Sequence, residues 1–143
     1  EEGGRLEEDV RTRLARLAQS LDRIRRRAPA IRDRAVQRCR SLIENAGAGK
    51  ALRDQGLLKD LWTLADRSDI HEELVRLQSH LEQADRLLRR RAPAGRSLDF
   101  VAQEMMREVH TIGSKARDAR VSECIVPCKT ALERIREQVQ NLE

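Results

Sequence analysis

Residues 66–81 read DRSDIHEELVRLQSHL, and how this stretch is read decides the fold. On an α-helix, at about 100° per residue, Ile70, Leu74, Leu77 and Leu81 form one apolar stripe, which Leu88 extends. Asp69, Glu73, Arg76 and His80 then fall within roughly 60° of arc beside it, stacked over about three turns. The stripe requires a helical neighbour. Two carboxylates, a guanidinium and an imidazole at the edge of such a seam mark the place where a bundle can build a polar site. Ser68 and Asp69 also read as a helix start, with Glu72 as capping-box partner, so Asp69 is either an N-cap or a site residue.

Outward from this segment the pattern repeats. In LDFVAQEMMREVHTIGSK, residues 98–115, Leu98, Val101, Met105, Val109 and Ile112 make the apolar stripe. Glu104, Glu108, Thr111 and Lys115 share the adjacent face, and Gly113 is a weak point for a helix. The last segment has the most regular seam. Val121, Ile125, Cys128, Leu132, Ile135, Val139 and Leu142 alternate four and three apart, which is coiled-coil spacing, with Pro127 inside it.

Toward the N-terminus, Leu6, Val10, Leu14, Leu17, Leu21 and Ile24 recur at helical steps and close on Arg25, Arg26 and Arg27. Ala28-Pro29 breaks or kinks this run, and a second helix over 29–46 or one long kinked rod are both open. Residues 46–49 read as a loop, and a shorter helix is expected over about 57–65. Trp62 beside its stripe is expected at a helix junction or an interface, with base stacking as the other reading. Ala92-Pro93-Ala94-Gly95 ends the central helix. The expectation is an all-α helical bundle with long antiparallel helices and a heptad-patterned C-terminal helix. A helical arm (1–46) and a main helical region (47–143) would form one continuous domain.

Composition agrees. Charged residues make up 37% and aromatics 1% of 143 residues, which suits surface-rich helices and disfavours the aromatic RRM- or OB-like platforms that stack bases. The net charge of +5 is compatible with RNA but too mild to establish it. All basic residues except Lys50, Lys59, Lys115 and Lys129 are arginine, whose planar fork suits phosphate. Three cysteines argue against a secreted disulfide framework, and no run reaches membrane-spanning length, so no membrane association and a cytoplasmic location are expected.

The segments LADRSDIHEELVRLQSHLEQ (64–83), GRSLDFVAQEMMREVHTIGSKA (95–116) and KTALERIREQVQNLE (129–143) resemble the C-terminal half of the bacterial YicC/YloC-like endoribonucleases. The resemblance implies RNA cleavage, dependence on a divalent metal such as Mg²⁺ or Mn²⁺, homo-oligomer assembly and a further domain upstream. Two asparagines of the family's MNREVNTIGSK are Met106 and His110 here, which puts catalytic competence in question while leaving the fold intact.

On this basis the central face is the candidate site. Asp69, Glu73 and His80 are placed near the chemistry: Glu73 and Asp69 as a metal pair completed by Glu104 and Glu108, and His80 as proton carrier or ligand. Arg76, Arg107, Arg89, Arg90, Arg91 and Lys115 are assigned to RNA phosphates. The bland reading of Glu73 with Arg76 or His80 is a surface ion pair. HExxH fails because residue 75 is Val, and Cys124 with Cys128 reads as buried thiols before a zinc site. The competing functional class is a non-catalytic helical oligomerisation or RNA-binding module, to which the C-terminal heptad seam would be suited.

Overall fold

The computed structural model describes residues 1–90 and 94–141, without the side chains at 48, 51, 52, 67 and 68. These residues form helices α1 (Glu2–Ala46), α2 (Ala48–Arg53), α3 (Gln55–Ser68), α4 (His71–Arg89), α5 (Gly95–Ala116) and α6 (Ala119–Gln140). No strand occurs among them, and α1, α4, α5 and α6 pack as an all-α bundle.

Cross-helix contacts fix the directions. Gly113 faces Ile125, and Asp99 accepts from Arg136 at 2.9 Å, so α5 and α6 are antiparallel. Glu73 with Lys115 and Arg76 with Glu108 make α4 and α5 antiparallel. Arg27 with Asp118 and Asp9 with Gln138 do the same for α1 and α6. The two-residue link between α5 and α6 leaves the chain no other choice.

The apolar stripes meet in one core, where Leu21, Ile24, Leu77, Met105, Ile112, Leu132 and Ile135 are fully buried. Val121, Ile125, Cys128, Leu132, Ile135 and Val139 all point into it, while Leu142 lies outside the described residues. Over the described residues the heptad spacing of α6 is therefore used within the chain, against α1 and α5.

Of the two N-terminal alternatives, the single rod is the one formed: α1 runs for 45 residues with Pro29 inside it. Pro29 lies on the exposed side, and so does Arg25, whose carbonyl loses its helical partner to the ring and can turn to water. Across it the stripe keeps phase through Ile24, Ala28, Ile31 and Ala35, so burial offsets the lost bond. Pro127 in α6 is tolerated in the same way, with Glu123 also exposed. Residues 46–49 do not form a simple loop: Gly47, at φ 83°, turns the chain between α1 and the one-and-a-half-turn α2. Asp54 then caps α3 by accepting from the Leu57 amide at 3.2 Å. Trp62 on α3 packs at no junction, being 76% exposed.

Gly113 is the one glycine inside a bundle helix whose replacement is informative. An added Cβ would sit 3.4 Å from Ile125, an ordinary contact. Gly113→Ala is expected to stabilise the bundle by about 1 kcal/mol, raising Tm by roughly 3 °C in a thermal melt. A lowered Tm would mean that the α5–α6 spacing admits no methyl group.

Candidate functional site

The faces of α4 and α5 anticipated from the sequence do look at each other, and their charges meet. Glu73 is 2% exposed and Glu108 is 6% exposed, both at the rim of the apolar seam, with buried Ile70 and Leu77 one turn from the first and Met105 and Ile112 one turn from the second. Lys115 donates to Glu73 Oε1 at 2.7 Å and to the Asp69 carbonyl at 3.3 Å. Arg76 donates through Nε to Glu108 Oε1 at 2.8 Å and lies 3.7 Å from Glu73 Oε1 and 3.5 Å from Glu72 Oε2. Two buried carboxylates are thus balanced by two cations whose stems lie on the seam while their other faces reach water. The hydrogen bond to Glu108, followed by the nearby carboxylate charges, raises the Arg76 pKa. The hydrogen bond to Glu73 raises that of Lys115, so Lys115 stays protonated and acts as a cation, never as a base.

Two polar atoms of this face stand out. Glu73 Oε2 and His80 Nδ1 are buried without a hydrogen-bond partner among the described residues, and a buried polar atom left unpaired calls for a functional or structural account. They lie two turns apart on α4, about 10 Å along its axis, and so converge only across something bound between them.

Asp69 meets this face through its carbonyl and does not belong to α4. It ends α3, Ile70 intervenes, and its Oδ1 accepts from the His71 amide at 2.9 Å. Its own amide is bound to the Asp66 carbonyl at 3.3 Å, so the reciprocal capping box with Glu72 does not form. The N-cap position of α4 falls on Ile70 and not on Asp69, so the expected N-cap role is not the one its side chain takes. Glu104 lies one turn before Glu108, half-buried and with no partner among the described residues. Arg107 and Arg90 are exposed with free guanidinium groups among the described residues, Arg89 pairs with Asp85 at 3.0 Å, and Arg91 lies outside the description.

The divalent cation implied by the resemblance can be tested against these atoms. Such a cation takes about six oxygens, and Mg²⁺ in particular asks for near-octahedral geometry. Here Glu73 Oε1 and Glu108 Oε1 are already committed to an ammonium and a guanidinium, leaving Oε2 of Glu73 as the one buried carboxylate oxygen without a partner among the described residues. Among the described residues no three His, Cys, Asp or Glu side chains gather around a common point. The donor set does not fit a resident metal ion. Cys124 and Cys128 fit none either: both are free thiols whose pKa burial raises.

Sequence reasoning missed a third buried carboxylate. Asp118, 3% exposed, caps α6 by accepting from the Val121 amide at 3.0 Å. It also accepts from Arg27 at 2.6 Å and Arg34 at 2.5 Å across the bundle. The Arg27 hydrogen bond leads the effects that bring its pKa down to about 2. Its place two residues after α5 was the available signal. Met106 is half-buried against the core, whereas His110 is exposed, with Nδ1 3.3 Å from Lys129 Nζ.

Fold and site together define an all-α bundle protein with a charge-neutralised polar seam between two antiparallel helices. A family profile described as "Endoribonuclease YicC-like, C-terminal" matches residues 24–143. The chain is 36% identical over 146 residues to a protein of Haemophilus influenzae named "Probable endoribonuclease YicC", covering 99% of this chain and 49% of that protein. It is 34% identical over 147 residues to the protein of that name from Clostridioides difficile, covering 100% of this chain and 49% of that protein. The chain belongs to the YicC-like endoribonuclease family and spans about half the length of the curated relatives it matches. No helix among the described residues is long and apolar enough to cross a membrane.

Proposed function

We propose that this chain is the helical half of an RNA-cleaving enzyme, with the α4–α5 seam holding the phosphodiester through its cations. The observation that carries the reading is the pair of buried carboxylates that fix Arg76 and Lys115 side by side. Pre-placed cations that need no reorganisation are what a developing charge on phosphorus requires. Glu73 positions both of them and offers its free Oε2, and His80 lies two turns along the same helix as the proton carrier. The Mg²⁺ or Mn²⁺ requirement expected from the family belongs to this proposal for the reaction as a whole. Magnesium commonly binds through substrate phosphates and its own waters, and the α4–α5 carboxylates are not its cage. Assembly into a homo-oligomer is part of the same proposal, through a surface other than the heptad stripe of α6.

The deciding experiment is cleavage of a structured RNA in Mg²⁺, Mn²⁺ or EDTA. It compares this chain with one extended to the full length of its relatives. Cleavage by the extended chain supports the reading; no cleavage under any condition favours a non-catalytic helical module, which the balanced charges of the seam would also suit.

Binding should run through exposed arginines without regard to sequence. The apparent association constant for RNA is expected to fall log-linearly with salt, as counterions are released from phosphates. Arg107→Glu combined with Arg90→Glu should flatten that slope in filter-binding or anisotropy titrations. An unchanged slope would reduce both residues to solvated charges.

A further inference from the structure

At the C-terminal end of α5, a cleft of about 530 Å³ opens between α1, α3 and the α5 terminus. That lies within the roughly 300–1,000 Å³ of small-ligand clefts. Arg34, Arg38, Lys115 and Arg117 line it against a single carboxylate, Asp60, over an apolar floor that includes Ile31. Two of the four cations are committed elsewhere, Arg34 to Asp118 and Lys115 to Glu73. Arg38 and Arg117 have no ion pair or hydrogen bond among the described residues.

Arg117 is also the one described non-glycine residue with positive φ, at φ 44° and ψ 49°. Glycine is the usual residue at such a helix end, and a side chain there costs about 1–2 kcal/mol. A strained position that carries a guanidinium, on the lining of a basic cleft that a second unpaired guanidinium also lines, suits an anion.

We propose that this cleft binds a nucleoside monophosphate unit. Its phosphomonoester sits on Arg38 and Arg117, and a ribose hydroxyl donates to Asp60. Planar guanidinium forks match the phosphate oxygens, the lone carboxylate can only accept, and the apolar floor suits the base. The unit is either a free nucleotide or the phosphorylated end of an RNA strand. Binding requires no cleavage, so the proposal stands apart from the nuclease reading.

The test is calorimetric titration of this chain in EDTA with AMP, with adenosine, and with one hexaribonucleotide bearing either a 5′-phosphate or a 5′-hydroxyl. AMP is expected to bind at least about tenfold more tightly than adenosine, one or two charge-assisted hydrogen bonds being worth that much. Preference confined to AMP assigns the free nucleotide, and preference confined to the phosphorylated hexamer assigns the RNA end. Arg38→Gln and Arg117→Gly should each lose roughly tenfold in affinity. Arg117→Gly relieves the backbone at the same time, so its Tm should hold or rise, which separates lost binding from lost folding. The proposal is overturned if the 5′-phosphate confers no preference in either probe. Wild-type affinity in Arg117→Gly would overturn it equally.

Discussion

Glu73→Gln is expected to lower RNA cleavage roughly 100-fold or more, with helicity unchanged, in a chain extended to the length of its relatives. The amide keeps the size of the carboxyl group and an oxygen for Lys115, now 2.7 Å from Oε1. What disappears is the charge that fixes Lys115 and Arg76 together, and with it the unpaired Oε2. Lys115 is partly exposed, so the loss in stability should stay near 1–2 kcal/mol, and assays well below Tm separate it from the kinetic effect. His80→Ala reports on the route. It should matter little if water attacks the phosphorus, and nearly as much as Glu73→Gln if the 2′-hydroxyl attacks and His80 takes its proton. The first route need not leave a 2′,3′-cyclic phosphate and the second does, so the product ends decide. Wild-type cleavage by Glu73→Gln in Mg²⁺ or Mn²⁺ would make the α4–α5 face structural, whether or not the protein is a nuclease.

The largest stability effect is expected at Asp118. Asp118→Ala removes the α6 cap and leaves Arg27 and Arg34 without their shared partner, a combined cost of about 3 kcal/mol. Asp118→Asn keeps a capping oxygen and loses only the charge, so it isolates the electrostatic part. That part depends on pH. The folded pKa, about 2, lies below the ordinary 3.8, so folding favours the ionised form. The contribution, about 2 kcal/mol, is complete above the ordinary value and drains away as pH falls from about 4 through about 2. Urea unfolding of wild type and Asp118→Asn across this range should show their stability difference shrinking toward the acid end. A difference that does not vary with pH would remove the charge from the explanation.

Local sequence settled most of the helical architecture, because burial has a period. The stripes through Leu74, Leu77 and Leu81, through Val101, Met105 and Val109, and through Ile125, Leu132 and Ile135 fall where the core lies. The short links around Arg117 and Asp118 dictated antiparallel neighbours. Local pattern also named Glu73, Arg76, Glu108 and Lys115, since charges at three- and four-residue spacing share a face wherever the helix packs. It did not settle Pro29, where the cost of a broken hydrogen bond is local but the compensation comes from helices distant in the sequence. Nor did it settle the heptad stripe of α6, whose spacing is the same whether a second copy or α1 and α5 cover it. Asp69 illustrates the limit at the site. Helical periodicity places it with Glu73 only if the helix already includes it, and the turn at Ile70 excludes it. Above all, spacing along one helix cannot say what faces it. That Lys115 and Arg76 neutralise Glu73 and Glu108, and that Arg38 and Arg117 stand unpaired in one cleft, are relations between residues 32 to 79 positions apart. Coulomb energy depends on distance in space, and only the packed bundle fixes those distances.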